Sequence, residues 1–302
     1  MSPTPALFIA AQPKHAARVK AALDELNRYA VSPEYGASLE QLKSVHEARK
    51  AHPAAKGVVE KEDLVTKLMT DPDLTGIWND LLKNAFCASM GTTGPNDAGA
   101  DALLQGFRAY MVQDYIYCTR GIIYQTERAI KSTSHQDFND TTTKVQHYCD
   151  YAQGALNYCV NQRTTPADEG GPGLGLTDVD VLQATPADVL DEYTDFQIQT
   201  AETHNWVMSL VAMIPCIQSY YAIAQPLYQN APAIIKDTPW YNLWIKPNGG
   251  ISPQEAGVTS QITFFVTNYA VWKDHYAEAK ETFRRACKGE ISLWQFAQDA
   301  KA

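Results

Sequence analysis

Apolar residues recur at intervals of three and four along most of the chain, which is the spacing of a helix with one buried face. The segment from His15 to Tyr29 is an example, with Val19, Leu23 and Leu26 in phase. Alternating runs rich in Val, Ile and Thr are scarce, and no Asn-Gly or Asp-Gly hairpin signal lies between such runs. The pattern therefore predicts an all-α protein.

The same periodicity divides the chain into helices separated by loops. The glycine-rich run from Thr164 to Asp178 predicts a loop, and the next long helix is expected to begin beyond Thr185-Pro186. Asn205 is a good N-cap for the helix after that, and the stretch from Pro232 to Pro253 predicts a connector with one short helix. The other predicted helices span residues 15–29, 39–51, 60–69, 74–90, 100–129, 132–160, 206–225, 253–285 and 291–301.

The first part of the chain is expected to lie outside the main core. Residues 32–57 carry few large apolar side chains, whereas the dense amphipathic patterns begin near Asp73. We therefore predict an N-terminal helical extension over residues 1–72 and a helical bundle domain over residues 73–302.

Composition and charge narrow the class of protein. The 302 residues are 45% hydrophobic and 20% charged, which is enough to bury a large core. The net charge of −9 would repel a phosphate backbone, so nucleic acid is not an expected partner. We find no apolar run of membrane-spanning length and no leader with a basic start, so no membrane partner is expected. Six cysteines without a Cys-x-x-Cys pair are typical of reduced thiols, which predicts a cytoplasmic protein.

Cys216 is the first candidate for chemistry. It follows Pro215 in an apolar helical run, and a proline inside a helix removes a hydrogen bond and presses against the carbonyl of Val211. The resulting kink is expected to turn the thiol toward a cavity, with Tyr220 one turn later on the same face. The alternative is a cysteine that only packs, which is the commoner role of a buried thiol.

Two carboxyl groups are also unusual. Asp114 shares a helix face with Tyr110 and Tyr117, and a carboxylate on an inward aromatic face is unstable unless it is paired or protonated. This pattern predicts either a functional acid or an Asp–Tyr hydrogen bond that joins two helices. Glu290 lies one turn before Trp294, and its alternative role is that of a solvated residue in the first turn of a helix.

Motifs for metals and cofactors are missing from the sequence. There is no Glu-x-x-His pair of the di-iron bundles, no Cys/His spacing of a zinc site, and no Gly-Lys-Ser/Thr after the run at residues 170–173. We therefore predict that the protein binds no metal and no cofactor.

Four short motifs occur along the chain in one order. They are Phe107-x-x-Tyr110-x-x-Gln113-Asp114-x-x-Tyr117; Tyr193-Thr194 with Ile214-Pro215-Cys216 and Tyr220; Tyr241-x-x-Trp244-Ile245 with Gly249-Gly250; and Phe283 with Glu290-x-x-x-Trp294. Together they resemble the motifs of the TenA (thiaminase II) family over about residues 73–302.

The resemblance implies an all-helical bundle like that of haem oxygenase, without haem, assembled as a homo-oligomer and typically a tetramer. For the cysteine-bearing branch it implies a hydrolase that acts on a small-molecule aminopyrimidine, or cleaves thiamin itself, in thiamin salvage. The residues that fall on the family's active-site positions are Asp114, Tyr117, Tyr193, Cys216 and Glu290.

The residue types suit that reaction. Glu290 can protonate a ring nitrogen, and a Cys216 thiolate can add to a ring carbon and expel an amine or a thiazolium. Asp114 is expected to bind the ring amino group and to tune the thiol. The residues expected to bind the substrate, or to orient it and the thiol, are Tyr110, Tyr117, Tyr193, Tyr220 and Asn248.

Two positions depart from the family motifs. Asn248 stands where the family has an aromatic residue of the pyrimidine pocket, and Leu293 replaces a second aromatic residue. Each lost ring contact weakens stacking by about 0.5–1.5 kcal/mol. Two alternatives therefore stay open: an enzyme of the same fold with a different small molecule of specialised metabolism as substrate, and a non-catalytic protein that binds a small molecule.

Overall fold

The computed structural model of the chain describes residues 61–166, 169 and 171–301. The helices predicted at residues 15–29 and 39–51 lie outside this part. Within it the chain forms helices and connecting turns, with no β-strand, so the predicted all-α class is confirmed. The α-helices are α1 Leu64–Thr70, α2 Thr75–Leu82, α3 Ala85–Thr92, α4 Ala100–Ile130, α5 His135–Val160, α6 Asp178–Leu182, α7 Asp188–Thr203, α8 Trp206–Ser209, α9 Ile214–Asn230, α10 Ala233–Lys236, α11 Lys246–Gly249, α12 Val258–Thr267, α13 Tyr269–Trp272 and α14 Tyr276–Asp299.

The core of the bundle lies between the four helices α4, α7, α9 and α14, and α5 packs along α4. Phe107 and Tyr110 of α4 meet Phe283 and Trp294 of α14 in this core, and all four side chains are buried. Burying such large apolar surfaces is the main source of stability of the bundle.

The described part of the predicted N-terminal extension belongs to the same core. Leu64, Val65 and Leu68 of α1 are fully buried among the bundle residues. Asp63 caps α1 by accepting a hydrogen bond from the Val65 amide at 2.9 Å. The domain boundary at residue 72 stays a prediction for the rest of the extension.

The segment around Cys216 is built differently from the predicted kinked helix. Asn205 does cap a helix, since its side chain accepts hydrogen bonds from the amides of Val207 and Met208. However, that helix is only the short α8, and a 3-10 turn over Leu210–Met213 follows before α9 begins at Ile214. Pro215 therefore lies in the first turn of α9, where no helical donor is lost, and the predicted kink is wrong.

The last part of the chain also differs from the prediction. The predicted helix over residues 253–285 is divided into α12, α13 and the start of α14, whereas α14 runs unbroken through the predicted gap after Arg285. Gly289 lies inside this helix and does not end it; its role is to make room for a neighbouring side chain. A Cβ atom at this position would lie 2.2 Å from the ring of Tyr193, so only glycine allows that close approach.

Two further segments divide where one element was predicted. The helix predicted over residues 74–90 is two helices, because Asn84 starts α3 by accepting a hydrogen bond from the Cys87 amide at 2.8 Å. The predicted connector at 232–253 holds α10, a π-helical turn over Tyr241–Ile245 and α11. Turns of this kind are rare and often lie at functional sites.

One stretch of the bundle has the composition of a membrane-spanning segment, contrary to the sequence expectation. Trp206–Asn230 covers 25 residues, its most apolar window has a mean hydropathy of 1.6, and 72% of that window is buried inside the protein. Core helices of water-soluble bundles pass the same test of length and composition. The burial of this stretch therefore indicates that it belongs to the core of the bundle.

The close packing of α11 on α9 gives a test of the fold. A Cβ atom at Gly249 would lie 2.3 Å from the backbone oxygen of Ala224, so we expect Gly249→Ala to destabilise the protein by about 1–3 kcal/mol. Gly76 of α2 has open space around its Cβ position, and Gly76→Ala is expected to leave stability unchanged or raise it by about 0.5–1 kcal/mol. Urea unfolding of both variants measures the difference, and equal effects would contradict this packing.

Candidate active site

A cavity of about 260 Å³ opens between α4, α5, α9 and the segment from the π-helical turn to residue 256. Five of the residues predicted from the sequence line it, and they come from three different elements. These residues are Asp114, Tyr117, Cys216, Tyr220 and Asn248.

Three other predicted residues lie behind the cavity wall. Tyr193 and Glu290 do not line the cavity, but the Tyr193 hydroxyl donates a hydrogen bond to Glu290 Oε1 at 2.8 Å. Glu290 reaches the cavity wall through Cys216, because the two side chains interact and each affects the pKa of the other. Tyr110 is also buried outside the lining.

Glu290 lies in the middle of α14 and is 1% exposed, so the interpretation as a solvated residue in a first helical turn is wrong. Its second oxygen, Oε2, has no donor at normal hydrogen-bond geometry among the described groups. Cys216, which lines the cavity, is among the side chains that interact with this carboxyl group. A buried carboxyl group with a single firm partner is costly, which makes its position between Tyr193 and Cys216 informative.

A second hydrogen-bond network holds Asp114. Its carboxyl group accepts a hydrogen bond from Tyr110. The Tyr110 hydroxyl lies 2.8 Å from the hydroxyl of Tyr220 and accepts from Trp244 Nε1 at 3.2 Å. The ring of Tyr110 stacks on Trp294 with centroids 4.4 Å apart. Tyr110 therefore positions Asp114 and Tyr220 from behind the cavity wall.

Tyr117 faces the thiol from α4. Its hydroxyl interacts with the Cys216 thiol, donates a hydrogen bond to Met213 Sδ at 3.6 Å and accepts one from Gln197 Nε2 at 3.1 Å. Its ring stacks on Tyr193 with centroids 5.8 Å apart. Tyr117 and Tyr193 thus fix two sides of the Cys216–Glu290 pair.

Burial changes the protonation of all three candidate catalytic groups. It raises the pKa of Asp114 from 3.8 to about 7 and that of Glu290 from 4.5 to about 7, and the charge of Asp114 adds to the rise at Glu290. Burial and the charge of Glu290 raise the pKa of the Cys216 thiol well above its ordinary value of 9.0. At neutral pH the resting cysteine is therefore a protonated thiol, which needs a base before it can attack.

Asp114 and Cys216 are half-buried by exposed area, although protein surrounds them. They line the cavity, so a small molecule in the cavity can reach them. This placement combines access with the raised pKa values of an enclosed environment.

The two departures from the family motifs lie in different places. Asn248 lines the cavity and donates through Nδ2 to the carbonyl oxygen of Trp244 at 2.8 Å. Leu293 is 1% exposed in the core and does not line the cavity. Only the replacement at position 248 therefore changes the cavity surface directly.

The wall that α5 contributes was not predicted from the sequence. Tyr148, Tyr151 and Tyr158 line the cavity from this helix, and Cys118 lines it from α4. The signal was present in the spacing of the three tyrosines, which recur after three and seven residues and so share a helix face.

Metal binding receives no support from the described part of the chain. In residues 61–166, 169 and 171–301, no group of three or more His, Cys, Asp and Glu side chains could hold an ion. The absence of a metal and a cofactor stays a prediction for the whole chain.

Comparison with known proteins places this site in a family. The sequence model of the TENA/THI-4/PQQC family matches residues 102–300, which is about two thirds of the chain. The chain belongs to this family. The match includes every candidate site residue named above, so the resemblance seen in the sequence motifs is confirmed. No curated protein sequence matches the chain at a significant level.

Solved structures similar to this TENA/THI-4/PQQC protein share its fold. A TenA family transcription regulator from Silicibacter sp. has 17% identity, covers 78% of this chain and 94% of its own, and has a TM-score of 0.58. A TenA homologue from P. horikoshii OT3 has 18% identity over 79% and 100%, with a TM-score of 0.58. A TenA homologue from Pyrococcus furiosus has 14% identity over 78% and 99%, with a TM-score of 0.59.

One polar residue of the family motif on α4 has a structural task. Gln113 accepts a hydrogen bond from the Ala187 amide at 2.8 Å and donates to the Thr185 carbonyl at 3.3 Å. It therefore joins α4 to the start of α7, the helix that carries Tyr193. The neighbouring Asp114 is left to face the cavity.

The raised pKa of Glu290 predicts a pH-dependent cost to the fold. Because the pKa is about 7 in the native state and 4.5 ordinarily, its contribution to stability is fullest below pH 4.5 and is lost as the pH rises toward 7. Between about pH 5 and about pH 8, we expect the free energy of unfolding to fall by about 2–3 kcal/mol more in the wild type than in Glu290→Gln. Urea unfolding at both pH values measures this change.

The control for this prediction is Glu281→Gln on the exposed side of α14, where Glu281 pairs with Arg284. It is expected to keep the pH dependence of the wild type. The same pH dependence in Glu290→Gln and the wild type would contradict a raised pKa at Glu290.

Proposed function

We propose that the protein is a cofactor-free hydrolase that cleaves an aminopyrimidine by nucleophilic attack of Cys216, in thiamin salvage. The observation that carries the proposal is the convergence of a thiol and two carboxyl groups: Cys216 and Asp114 line one cavity, and Glu290 interacts with Cys216 from behind its wall. A buried acid is costly, so two of them beside a thiol are not explained by stability. Membership of the TENA/THI-4/PQQC family supports the same class of reaction.

The hydrogen bonds assign a task to each group. Protonated Asp114 can donate to the ring nitrogen beside the substrate's amino group, while its other oxygen accepts from that amino group. Ionised Glu290 accepts the proton of the Cys216 thiol as the sulfur bonds to the ring carbon. Glu290 then donates this proton to the other ring nitrogen of the substrate. Tyr117 and Tyr193 hold the thiol and the base in place.

The bonding changes balance in two steps. Formation of the C–S bond pushes the ring electrons toward the exocyclic carbon and expels the amine, which leaves an exocyclic methylene. One water molecule then adds to this methylene, and the C–S bond breaks to restore the aromatic ring and the thiol. Overall, one water molecule is consumed, and the amino group on the exocyclic carbon is replaced by a hydroxyl group.

A different substrate of the same chemical class remains the second candidate. Asn248 brings an amide to a cavity position where the family has an aromatic ring, so one stacking face is replaced by hydrogen-bonding groups. Incubation with thiamin and with 4-amino-5-aminomethyl-2-methylpyrimidine, followed by mass spectrometry of the products, tests the main proposal. If the protein cleaves neither compound, the proposal is contradicted.

The nucleophile can be tested separately from the fold. We expect Cys216→Ser to lower kcat by about 10³-fold or more, because a hydroxyl group is a much weaker nucleophile than a thiolate. The two side chains are similar in volume, so the unfolding midpoint is expected to change little. Steady-state kinetics and urea unfolding measure the two effects.

A matched control is Cys149→Ser. Cys149 is half-buried like Cys216 but does not line the cavity, so its replacement is expected to leave turnover unchanged. Full turnover by Cys216→Ser would exclude covalent catalysis, and Asp114 with Glu290 would then act as an acid–base pair.

The two carboxyl groups also predict the pH profile. Because Asp114 acts protonated and Glu290 acts ionised, and both pKa values are about 7, we expect a bell-shaped dependence of kcat/KM with its maximum near pH 7. Each limb falls about tenfold per pH unit. A profile that rises steadily through pH 9 would instead show that the free ionisation of Cys216 limits the reaction.

A further inference from the structure

Gln197 places a buried amide beside the hydroxyl group of Tyr117. It lies on α7 one turn after Tyr193 and is 3% exposed, so its amide depends on partners within the protein. The amide nitrogen Nε2 has three acceptors within reach: Tyr117 Oη at 3.1 Å, the carbonyl oxygen of Ala212 at 3.3 Å and Met213 Sδ at 3.3 Å. Gln197 therefore links Tyr117 to the 3-10 turn that precedes α9.

The partners of Gln197 determine which end of its amide faces Tyr117. A backbone carbonyl oxygen and a thioether sulfur accept hydrogen bonds but cannot donate them. If the amide were turned round, its oxygen would face the carbonyl oxygen of Ala212, and two buried acceptors would lie together without a proton. The nitrogen therefore donates to Tyr117 Oη, and the hydroxyl proton of Tyr117 points away from Gln197.

Two sulfur atoms can accept the hydroxyl proton of Tyr117. One is Met213 Sδ at 3.6 Å, and a thioether is a weak acceptor. The other belongs to Cys216: burial and the charge of Glu290 raise the pKa of this thiol, whereas its interaction with Tyr117 lowers it. A thiolate carries a full charge, and hydrogen bonds to charged groups are about twice as strong as those between neutral groups. The hydroxyl proton is therefore expected to turn toward Cys216 when its thiolate forms.

We infer that Gln197 is a positioning residue that keeps the Tyr117 hydroxyl group as a hydrogen-bond donor toward the Cys216 thiolate. Met213 holds this donor while the thiol is protonated. The inference rests on the proposed function, in which the thiol proton passes to Glu290. The Tyr117 proton stays bonded to its own oxygen and only changes its acceptor.

The arrangement has two consequences for the reaction. Donation by Gln197 to Tyr117 Oη polarises the hydroxyl group, which makes it a stronger donor to sulfur. The stronger bond forms only together with the thiolate, so it stabilises the reacting state more than the bound substrate. Neither Gln197 nor Met213 belongs to the four sequence motifs, and the sequence alone therefore did not indicate them.

The test measures how fast iodoacetamide alkylates Cys216, by mass spectrometry of the Cys216 peptide after reaction at about pH 8, because the reagent attacks the thiolate. We expect Gln197→Met to slow this alkylation about fivefold, since the hydroxyl proton of Tyr117 is then free to turn away from the sulfur. We expect Met213→Leu to speed it about twofold or more, because the competing acceptor is lost while the volume is kept. Loss of packing alone does not predict these opposite signs.

Two further measurements separate positioning from packing. If Gln197 acts through Tyr117, Gln197→Met has no further effect on Cys216 alkylation in a Tyr117→Phe background. With 4-amino-5-aminomethyl-2-methylpyrimidine as substrate, Gln197→Met is expected to lower kcat about tenfold and to change KM by less than about twofold, because the thiolate forms after binding.

The matched control is Gln199→Met. Gln199 lies on the same helix, is exposed and does not line the cavity. Its replacement is expected to leave both the alkylation of Cys216 and turnover as in the wild type. Urea unfolding of every variant shows whether the fold is intact.

The outcomes separate the inference from the proposed function. If Gln197→Met folds and Cys216 is alkylated at the wild-type rate, the inference is overturned, whether or not the wild type cleaves the pyrimidine. If Gln197→Met does not fold, Met213→Leu decides: faster alkylation supports the inference, and equal or slower alkylation overturns it. If the wild type cleaves no aminopyrimidine, the hydrolase proposal fails, while the alkylation rates still decide how Gln197 and Met213 act on Tyr117.

Discussion

The burial of one carboxyl group, that of Glu290, constrains the whole site. A carboxyl group in the middle of a packed helix needs partners, and Glu290 obtains them from Tyr193 on α7 and Cys216 on α9. Three helices must therefore meet at one point. Gly289 makes this meeting sterically feasible, because any side chain there would overlap the ring of Tyr193.

The same burial decides the chemistry that the site can perform. It keeps the thiol of Cys216 protonated and brings the pKa values of Asp114 and Glu290 close to neutral pH. One carboxyl group can then bind the substrate as an acid while the other accepts a proton as a base. In the proposed reaction such a cysteine becomes a nucleophile only when a base removes its proton.

Sequence periodicity predicted the long helices α4 and α5 well, because many apolar residues in phase determine each of them. It failed where a residue type has two physical meanings. Residues 286–290 were predicted to separate two helices, but α14 is continuous there and Gly289 makes room for the ring of Tyr193. Pro215 was predicted to kink a helix but lies in the first turn of α9. The family motifs indicated Asp114, Cys216 and Glu290. The cavity wall formed by α5, which includes Tyr151, depends on how α5 packs on the rest of the bundle, and a local sequence pattern does not predict that packing.

If Glu290 interacts with Cys216 in a buried site, its carboxyl group titrates near neutral pH, and carbon NMR of ¹³C-labelled carboxyl groups measures that titration. The resonance that disappears in Glu290→Gln identifies Glu290, and its titration gives the pKa of this one group. We expect a midpoint of about 7 that shifts when Cys216 is replaced by alanine. A midpoint near the ordinary value of 4.5, unchanged by that replacement, would contradict it.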